Sequence, residues 1–488
     1  MGSIFPVAAI TEETLNIAKA AFGAGPSAAQ GLAKAGYNIA QGLVGINLEA
    51  PSKKLFPVYS PLRNKLARVK APVGSTAVQW KAITQLNSKN QWPGVAENTR
   101  NGFVTTVTQS FTANFATLGQ DDYVGFEALA QSKGFEDIRA TAALNLLYQC
   151  MISEEKVILG GNTANIGRPA SGSVAASQTT GGTLASATYI LKVSALVFRG
   201  WDKNQKAGSG VGGSAGATSA DGETDATSVS ISTTGATGAV SLTWTAVLGA
   251  VAYNVFIDDG AGGAQTWSQT VYVNAATVTA LGTGVAPNAS GNDLTGSALE
   301  FDGLISSIEK NGIVTCLNNA KLTSDNAGGI NEIDTILKTM WDKYRLGPSE
   351  ILVYSTEAQT ITKLIGASSN LAYRVVLQDG QRNVTGGIFV GSYLNKFASS
   401  FAEGFPNEVQ IRIHPNMPPS TILFPVYALP YPNNQVPNVW EMECLQEYTQ
   451  YEWALTQRQY EFGIYFMEVL KSYFPAAQAA LTCIKAGV

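Results

Sequence analysis

The clearest periodicity in the chain is the period-two alternation between Ser75 and Thr117. On the outward run Val78, Trp80 and Ala82 alternate with Gln79 and Lys81. On the return Phe103, Val107, Phe111, Ala113 and Phe115 share one parity, and Thr106, Thr108, Ser110, Thr112 and Asn114 share the other. This spacing predicts two strands with one apolar face, joined by a polar tip from Asn87 to Asn101 that holds Trp92, Pro93 and Gly94. A two-stranded hairpin is marginal in water, so its apolar face needs a surface to rest on. An adjacent copy of the chain is a natural candidate.

Elsewhere the spacing turns helical. Residues 136–158 predict the longest helix, with Ile138, Ala142, Leu146 and Cys150 on one stripe, Leu147, Met151 and Ile158 broadening it, and Gly160-Gly161 stopping it. Before the hairpin, residues 1–50 are rich in Ala and Gly, with weak helical spacing in Glu12 to Phe22 and Leu32 to Leu43. Such helices are barely stable alone, which predicts an arm that orders on the body or on another subunit. Further on, Ile333, Leu337, Met340 (or Trp341) and Tyr344 mark a helix over Ile330 to Tyr344, ended by Gly347-Pro348. A strand Ile351 to Tyr354 and a helix Glu357 to Ile365, N-capped by Thr356, complete a mixed α/β region. Pro406 to Pro437 holds eight of the 19 prolines, which predicts loops and short edge strands. Strands follow over Val439 to Phe474, then a short helix from Pro475 to Ile484.

Residues 162–298 differ in kind: 21 of the 49 glycines and only two prolines fall here, which predicts an inserted module. Its expected strands are Tyr189 to Val197, Ser228 to Ser232, Val240 to Thr245, Ala252 to Ile257, Thr270 to Asn274 and Thr277 to Leu281. The stretch Val240-Ser-Leu-Thr-Trp-Thr followed by Gly249-Ala-Val-Ala-Tyr-Asn-Val-Phe resembles the central strands of fibronectin type III or immunoglobulin-like sandwiches, which implies Trp244 and Tyr253 as core aromatics. The ends near Asn165 and Ser297 are expected to meet, so that removing 168–295 leaves the rest folded.

Composition sharpens this picture at one point. Charged residues make up 14% of the 488-residue chain, where about 25% is typical. The deficit fits either a surface covered by neighbours or a monomer coated with Ser, Thr, Asn and Gly, and composition leaves both open. The net charge is −4 and the 32 basic residues are scattered, without the basic stripe that specific DNA recognition needs. No apolar run is long enough to span a bilayer, and no signal peptide follows Met1, so no membrane contact and a cytosolic product are expected. Cys150, Cys316, Cys444 and Cys483 lie far apart, with no pair at metal or redox spacing, and are expected to be buried reduced thiols.

The order of arm, long hairpin, long helix, inserted β module, α/β region and returning strands resembles the tailed-phage major capsid fold. Leu55-Phe-Pro-Val-Tyr-Ser-Pro-Leu-Arg-Asn, Arg68-Val-Lys, Trp80-Lys-Ala-Ile-Thr, Glu154-Glu155, Ile158-Leu-Gly-Gly-Asn, Gly386-Gly-Ile-Phe-Val and His414-Pro-Asn-Met-Pro-Pro carry the likeness. The resemblance implies an α+β fold with an N-terminal arm and lead-in (1–74), an extended loop (75–117), a peripheral domain with the spine helix (118–161), the inserted immunoglobulin-like all-β sandwich (162–298), peripheral strands (299–325), an axial domain (326–439) and C-terminal peripheral strands (440–488). It further implies a structural virion protein, not an enzyme, that assembles into pentamers and hexamers around double-stranded DNA. The expected partners are other copies of itself, portal, scaffolding and decoration proteins, and packaged DNA held only non-specifically. The expected location is the virion, and the host cytoplasm during assembly. Two alternatives stand beside it: an encapsulin-like nanocompartment, and an adhesive or carbohydrate-binding surface protein using Trp201, Trp244 and Trp267.

Candidate chemistry is sparse. The single His414 precedes Pro415 and has no assignable Ser or Cys partner, so it is read as structural. Gly208-Ser-Gly-Val-Gly-Gly matches GxGxxG but lacks the strand before and helix after, and reads as a flexible loop. Glu441 and Glu443 are expected on one strand face, paired with Arg or Lys of an adjacent subunit. Asp258-Asp259 in a turn lacks further oxygen ligands at calcium spacing. Lys81 and Lys89 lie where some capsid relatives carry a cross-linking lysine, and are read as solvated side chains. No catalytic residue, cofactor or metal ligand is assigned.

Overall fold

The computed structural model describes residues 55, 57–86, 88–133, 136–207, 221–283, 286–367, 390–397, 408–431 and 434–487. The N-terminal arm and the Gly208 to Gly213 run lie outside them, as does Gly386-Gly-Ile-Phe, with only Val390 of that segment described. By internal contacts the chain forms two units, residues 1–56 with 126–141, and residues 57–125 with 142–488. The first contributes the helix Phe126–Ser132 and the opening turn of the helix Ile138–Gly160. There Asp137 caps the start, its Oδ1 accepting from Ala140 N at 3.2 Å.

In the second unit strands and helices mix in an α+β architecture. Trp440–Glu452 and Gln459–Ser472 form a long antiparallel pair. Ala116–Gly125 extends it on one side, and Ala67–Lys70 runs parallel to it on the other. The spine helix lies against this sheet. Leu146, Cys150, Ile158 and Leu159 bury its apolar stripe, and Gln120 Nε2 donates to Ser153 Oγ at 3.2 Å. Gly161 then comes so close to Phe301 O that an added Cβ would sit 2.3 Å away, so the turn accepts only glycine.

A second sheet has six strands in the order Ile313–Cys316, Ala479–Thr482, Ile422–Phe424, Glu350–Val353, Glu408–Ile413 and Ser392–Leu394. The helix Asn331–Tyr344 turns Ile333, Ile336, Leu337 and Met340 into the core, Met340 rather than Trp341 completing the stripe. The helix Ser355–Ala367 adds Ala358, Ile361 and Leu364. Three expectations change here. Thr356 is no cap, because the helix already starts at Ser355. The proline-rich stretch supplies the interior strands Glu408–Ile413 and Ile422–Phe424, with its prolines in the connections, so no backbone donor is lost from either strand. The expected helix from Pro475 to Ile484 is a 3₁₀ turn at Pro475–Ala477 followed by the buried strand Ala479–Thr482. Ala-rich sequence favours a helix locally, but slots open between two strands take small side chains, and that packing wins.

The segment 162–298 forms two sheets. One is ordered Thr266–Val271, Ala252–Ile257, Thr188–Leu196, Thr227–Ser232, the other Ala275–Val278, Gly238–Thr243, Ala175–Leu184. Their inner faces share a core in which Trp244 meets Tyr253 edge-on at 5.2 Å. The strand Ala175–Leu184 and the helix Phe198–Ala207 were not foreseen, since TTGG in the strand reads as a turn. The ends meet, Ser297 N donating to Asn162 O at 3.0 Å and Gly296 N to Asn165 Oδ1 at 2.9 Å. The segment also takes part in the main core, where Leu196, Phe198, Trp201, Val251 and Ala252 are buried.

Candidate functional site

Two features stand out: the hairpin, and a charged network in the body. Among the described residues Ala77–Gln85 and Val107–Asn114 pair with each other and with no other strand. Their base is fastened to the body. Val78 is buried, Trp80 stacks on Phe111 at 5.6 Å, and Trp80 Nε1 donates to Ser472 O at 3.0 Å. Beyond the base the apolar side chains stand in solvent: Ile83 is 66% exposed, Leu86 72%, Trp92 82%, Phe103 91% and Val104 63%. The predicted apolar face is thus packed at Val78, Trp80, Phe111 and Ala113, whereas the exposed Ile83 pairs with Thr108 on the opposite face.

The outer ribbon holds its form through polar bonds. Ser88 N donates to Thr105 O at 2.9 Å, the two hydroxyls meet at 2.6 Å, and Asn101 Nδ2 donates to Trp92 O at 2.7 Å. Its apolar side chains stay largely exposed, and leaving so much apolar area wet is unfavourable by about 25 cal/mol per Å². Lys81 and Lys89 are both solvent-exposed on this ribbon.

At the body, segments far apart in sequence converge. Pro61–Lys65 forms a short helix whose own Ser60 makes no side-chain cap. The cap comes from Glu155 on the spine helix, which accepts from Leu62 N at 2.9 Å and from Arg63 N at 2.7 Å. His414 Nε2 adds a third bond to Glu155 at 2.7 Å, while Asn416 N donates to His414 Nδ1 at 3.2 Å, which fixes the tautomer with the proton on Nε2. Neighbouring Glu154 accepts from Arg63 Nε at 2.6 Å, from Arg68 and from the Tyr448 hydroxyl. Arg68 reaches on to Glu468 at 3.3 Å. Burial pushes the Glu468 carboxyl up to about 7, against the pull of Arg68 and Arg63. This network is a buried weld of lead-in, spine helix and long strands. It holds three carboxylates, yet all converge on cations and backbone donors, and the neighbouring cavity lined by Cys150, Ser153, Glu154 and Phe466 has a volume of only ≈ 80 Å³, room for water and not for a substrate.

Arg63, Arg68, Glu154, Glu155 and His414 all sit in segments singled out in the sequence, and the structure brings them together. Tyr448 and Glu468 were missed. The available signal was the Glu154-Glu155 pair itself, two charges interrupting the apolar stripe between Met151 and Ile158.

The other candidates resolve into structural roles. Glu441 and Glu443 do share a strand face, but both contact Lys471 of the same chain at 3.4 Å, because the antiparallel return puts Lys471 beside them. A cation is thus supplied within the chain, where Arg or Lys of an adjacent subunit was expected. Asp258 and Asp259 bind turn and strand amides, Asp259 Oδ1 accepting from Ala261 N and Gly263 N at 2.9 Å each. Trp201 and Trp244 are buried and Trp267 is half-buried, so they form no open aromatic platform for a sugar. Among the described residues no group of three His, Cys, Asp or Glu could hold a metal, and no helix is long and apolar enough to cross a membrane. One expectation about the cysteines fails: Cys316 is half-exposed, its thiol donating to Asn318 Oδ1 at 3.4 Å, with Cys483 close enough to shift it.

No family model matches the sequence, and no curated protein does. Among solved structures, the chain is similar to the capsid of cyanophage A-1(L), with a TM-score of 0.41 and 9% identity, covering 91% of this chain and 97% of that one. It is similar to the capsid of Myoviridae phage XM1, with a TM-score of 0.39 and 8% identity over 92% and 99% of the two chains. The holo-SrpI encapsulin complex of Synechococcus elongatus PCC 7942 gives a TM-score of 0.37 and 8% identity over 91% and 94%.

Proposed function

We propose that this chain is a shell-forming structural protein of the tailed-phage capsid type, whose copies associate through the hairpin into pentamers and hexamers that close around double-stranded DNA. The observation that carries this reading is the hairpin's outer half, a polar-bonded ribbon presenting Ile83, Leu86, Trp92, Phe103 and Val104 to solvent. Burying five such side chains is worth on the order of 10 kcal/mol before the costs of association, at roughly 1.5–3 kcal/mol each. Among the described residues the anchor lies at the base, which leaves the ribbon free to lie on a second copy. The peripheral and axial domain boundaries, the arm's docking on a neighbour, the immunoglobulin-like character of residues 162–298, and portal, scaffolding and decoration partners belong to the same reading. So does residence in the virion after assembly in the host cytoplasm. The function is geometry rather than catalysis.

Analytical sedimentation and negative-stain microscopy of the purified full chain test this. Capsomers or closed particles are expected for the native sequence. The double variant Trp92→Ser with Phe103→Ser is expected to remain a small species with unchanged circular dichroism and melting. A clean monomer at micromolar concentration, or a variant that assembles like the parent, would falsify the reading. Particles that retain protein cargo and exclude DNA would replace it with the nanocompartment alternative.

A further inference from the structure

Cys316 and Cys483 are separated by most of the C-terminal half of the chain, yet the fold sets them side by side. Cys316 ends the edge strand of the six-stranded sheet and is paired in parallel register with Thr482. The ladder continues past both strand ends, Leu317 N donating to Thr482 O at 3.0 Å and Asn319 N to Cys483 O at 3.2 Å. Parallel partners face the same way, so the Thr482 side chain stands beside Cys316 on one face. An extended Cys483 would then point to the opposite face. Its φ of +57° prevents this. Relative to an extended residue that angle swings Cβ about the N–Cα bond by roughly half a turn, and brings the Cys483 thiol against Cys316. A residue one step along a neighbouring strand lies about 6 Å away between Cα atoms, inside the range a disulfide spans. A non-glycine residue held in the left-handed region is unfavourable, and here it produces a thiol pair.

We propose that Cys316 and Cys483 form a dithiol that a small-molecule disulfide converts to an intramolecular disulfide, stapling the C-terminal strand Ala479–Thr482 to the edge strand Ile313–Cys316. Cys316, half-exposed, attacks one sulfur of the reagent disulfide and releases one equivalent of reagent thiol. Cys483 then attacks the Cys316 sulfur of the mixed disulfide and releases the second, its own proton leaving with that thiol. Two protein thiols and one reagent disulfide become one protein disulfide and two reagent thiols. The order of attack follows the environments. Cys316 is the half-exposed member, and the contacts from Cys483, Asn318 N and Thr482 lower its thiol below the ordinary range, whereas Cys483 is raised by the same contact and by burial. Burial raises Cys150 to about 11 and also raises Cys444, which sets both apart as slow thiols. This inference is independent of the assembly reading.

The test uses the reduced full-length chain, freed of reductant and incubated with oxidised glutathione at mildly alkaline pH, followed by intact-mass measurement and non-reducing peptide mapping. The expected product has lost two hydrogens, yields one peptide pair joined through Cys316 and Cys483, and melts several degrees higher than the reduced form. In Cys483→Ser, which removes the resolving thiol, a stable glutathione adduct should accumulate on Cys316. In Cys316→Ser neither adduct nor cross-link should form at the normal rate. A lasting adduct on Cys316 in the native sequence, a cross-link through Cys150 or Cys444, or no reaction at all would overturn the proposal.

Discussion

Glu154 and Glu155 show how much a pair of adjacent residues can hold. Replacing Glu154 by Ala leaves Arg63, Arg68 and the Tyr448 hydroxyl converging on an empty site, and an uncompensated buried charge network of this kind costs about 3–5 kcal/mol. Chemical denaturation of the variant should show that loss, and a midpoint within error of the parent would refute the weld. A second residue-scale prediction concerns carboxyls that prefer to be neutral. Burial pushes Glu223 up to about 7 and Glu309 up to about 8, while hydrogen bonds from Ser194 and Asn254 to Glu223, and from Gly249 N to Glu309, oppose it. With folded values above the unfolded ones near 4.5, the folded state binds more protons than the unfolded one between about 4.5 and 8. Their stabilising protonation is thus fully present below about 4.5 and is lost progressively as pH rises from there through 7 to 8. A group moved this far weakens the fold on the order of 3 kcal/mol when it ionises. The melting temperature should therefore rise as pH falls from 8 towards 5.5, and Glu223→Gln with Glu309→Gln should flatten that slope; an unchanged slope in the double variant would count against this assignment. None of these pairings was legible in the sequence beyond the oddity of two charges on an apolar stripe, because Arg63 and Glu154 stand 91 residues apart and Tyr448 lies 294 residues from Glu154.

At the scale of elements, legibility followed periodicity. The hairpin and the spine helix repeat their pattern for many residues, and their predicted and observed limits differ by only a few positions. Ile422–Phe424 and Ala479–Thr482 are too short to show a period, and only their place inside a sheet makes them strands. The outer hairpin misled in a subtler way. Phe103 fits the apolar parity but lies beyond the paired strand, so alternation located the strands without revealing where packing stops. That boundary is set at Trp80, the last large side chain of its strand to touch the body. Trp80→Ala removes both the stack on Phe111 and the bond to Ser472 O. Hydrogen exchange should then accelerate across Ala77–Gln85 and Val107–Asn114 while Trp440–Glu452 keeps its protection. Equal protection of the hairpin in variant and parent would mean that something other than Trp80 anchors it.

For the whole molecule the question is whether residues 162–298 are a passenger. Their ends meet closely enough for a short bridge, which is what an insertion between two strands of a host fold requires. Composition suggested the same independence, since glycine enrichment marks a change in sequence character. Burial argues the other way. The helix Phe198–Ala207 turns Phe198 and Trp201 out of the β module and into the main core, Val251 and Ala252 follow, and Arg199 pairs with Glu300 at 2.9 Å outside the segment. Losing two large aromatics and their neighbours from a packed core costs about 3–5 kcal/mol for each aromatic alone, against a total stability of roughly 5–15 kcal/mol for a typical domain. Deleting 168–295 and bridging the ends with Gly and Ser should therefore give an insoluble or non-cooperatively melting chain. Substituting surface positions of the module far from this seam, such as Ser177 or Thr234, should leave melting unchanged. A soluble deletion variant with a sharp transition would show that the main core closes over the vacated volume, and that the seam aromatics serve the module alone.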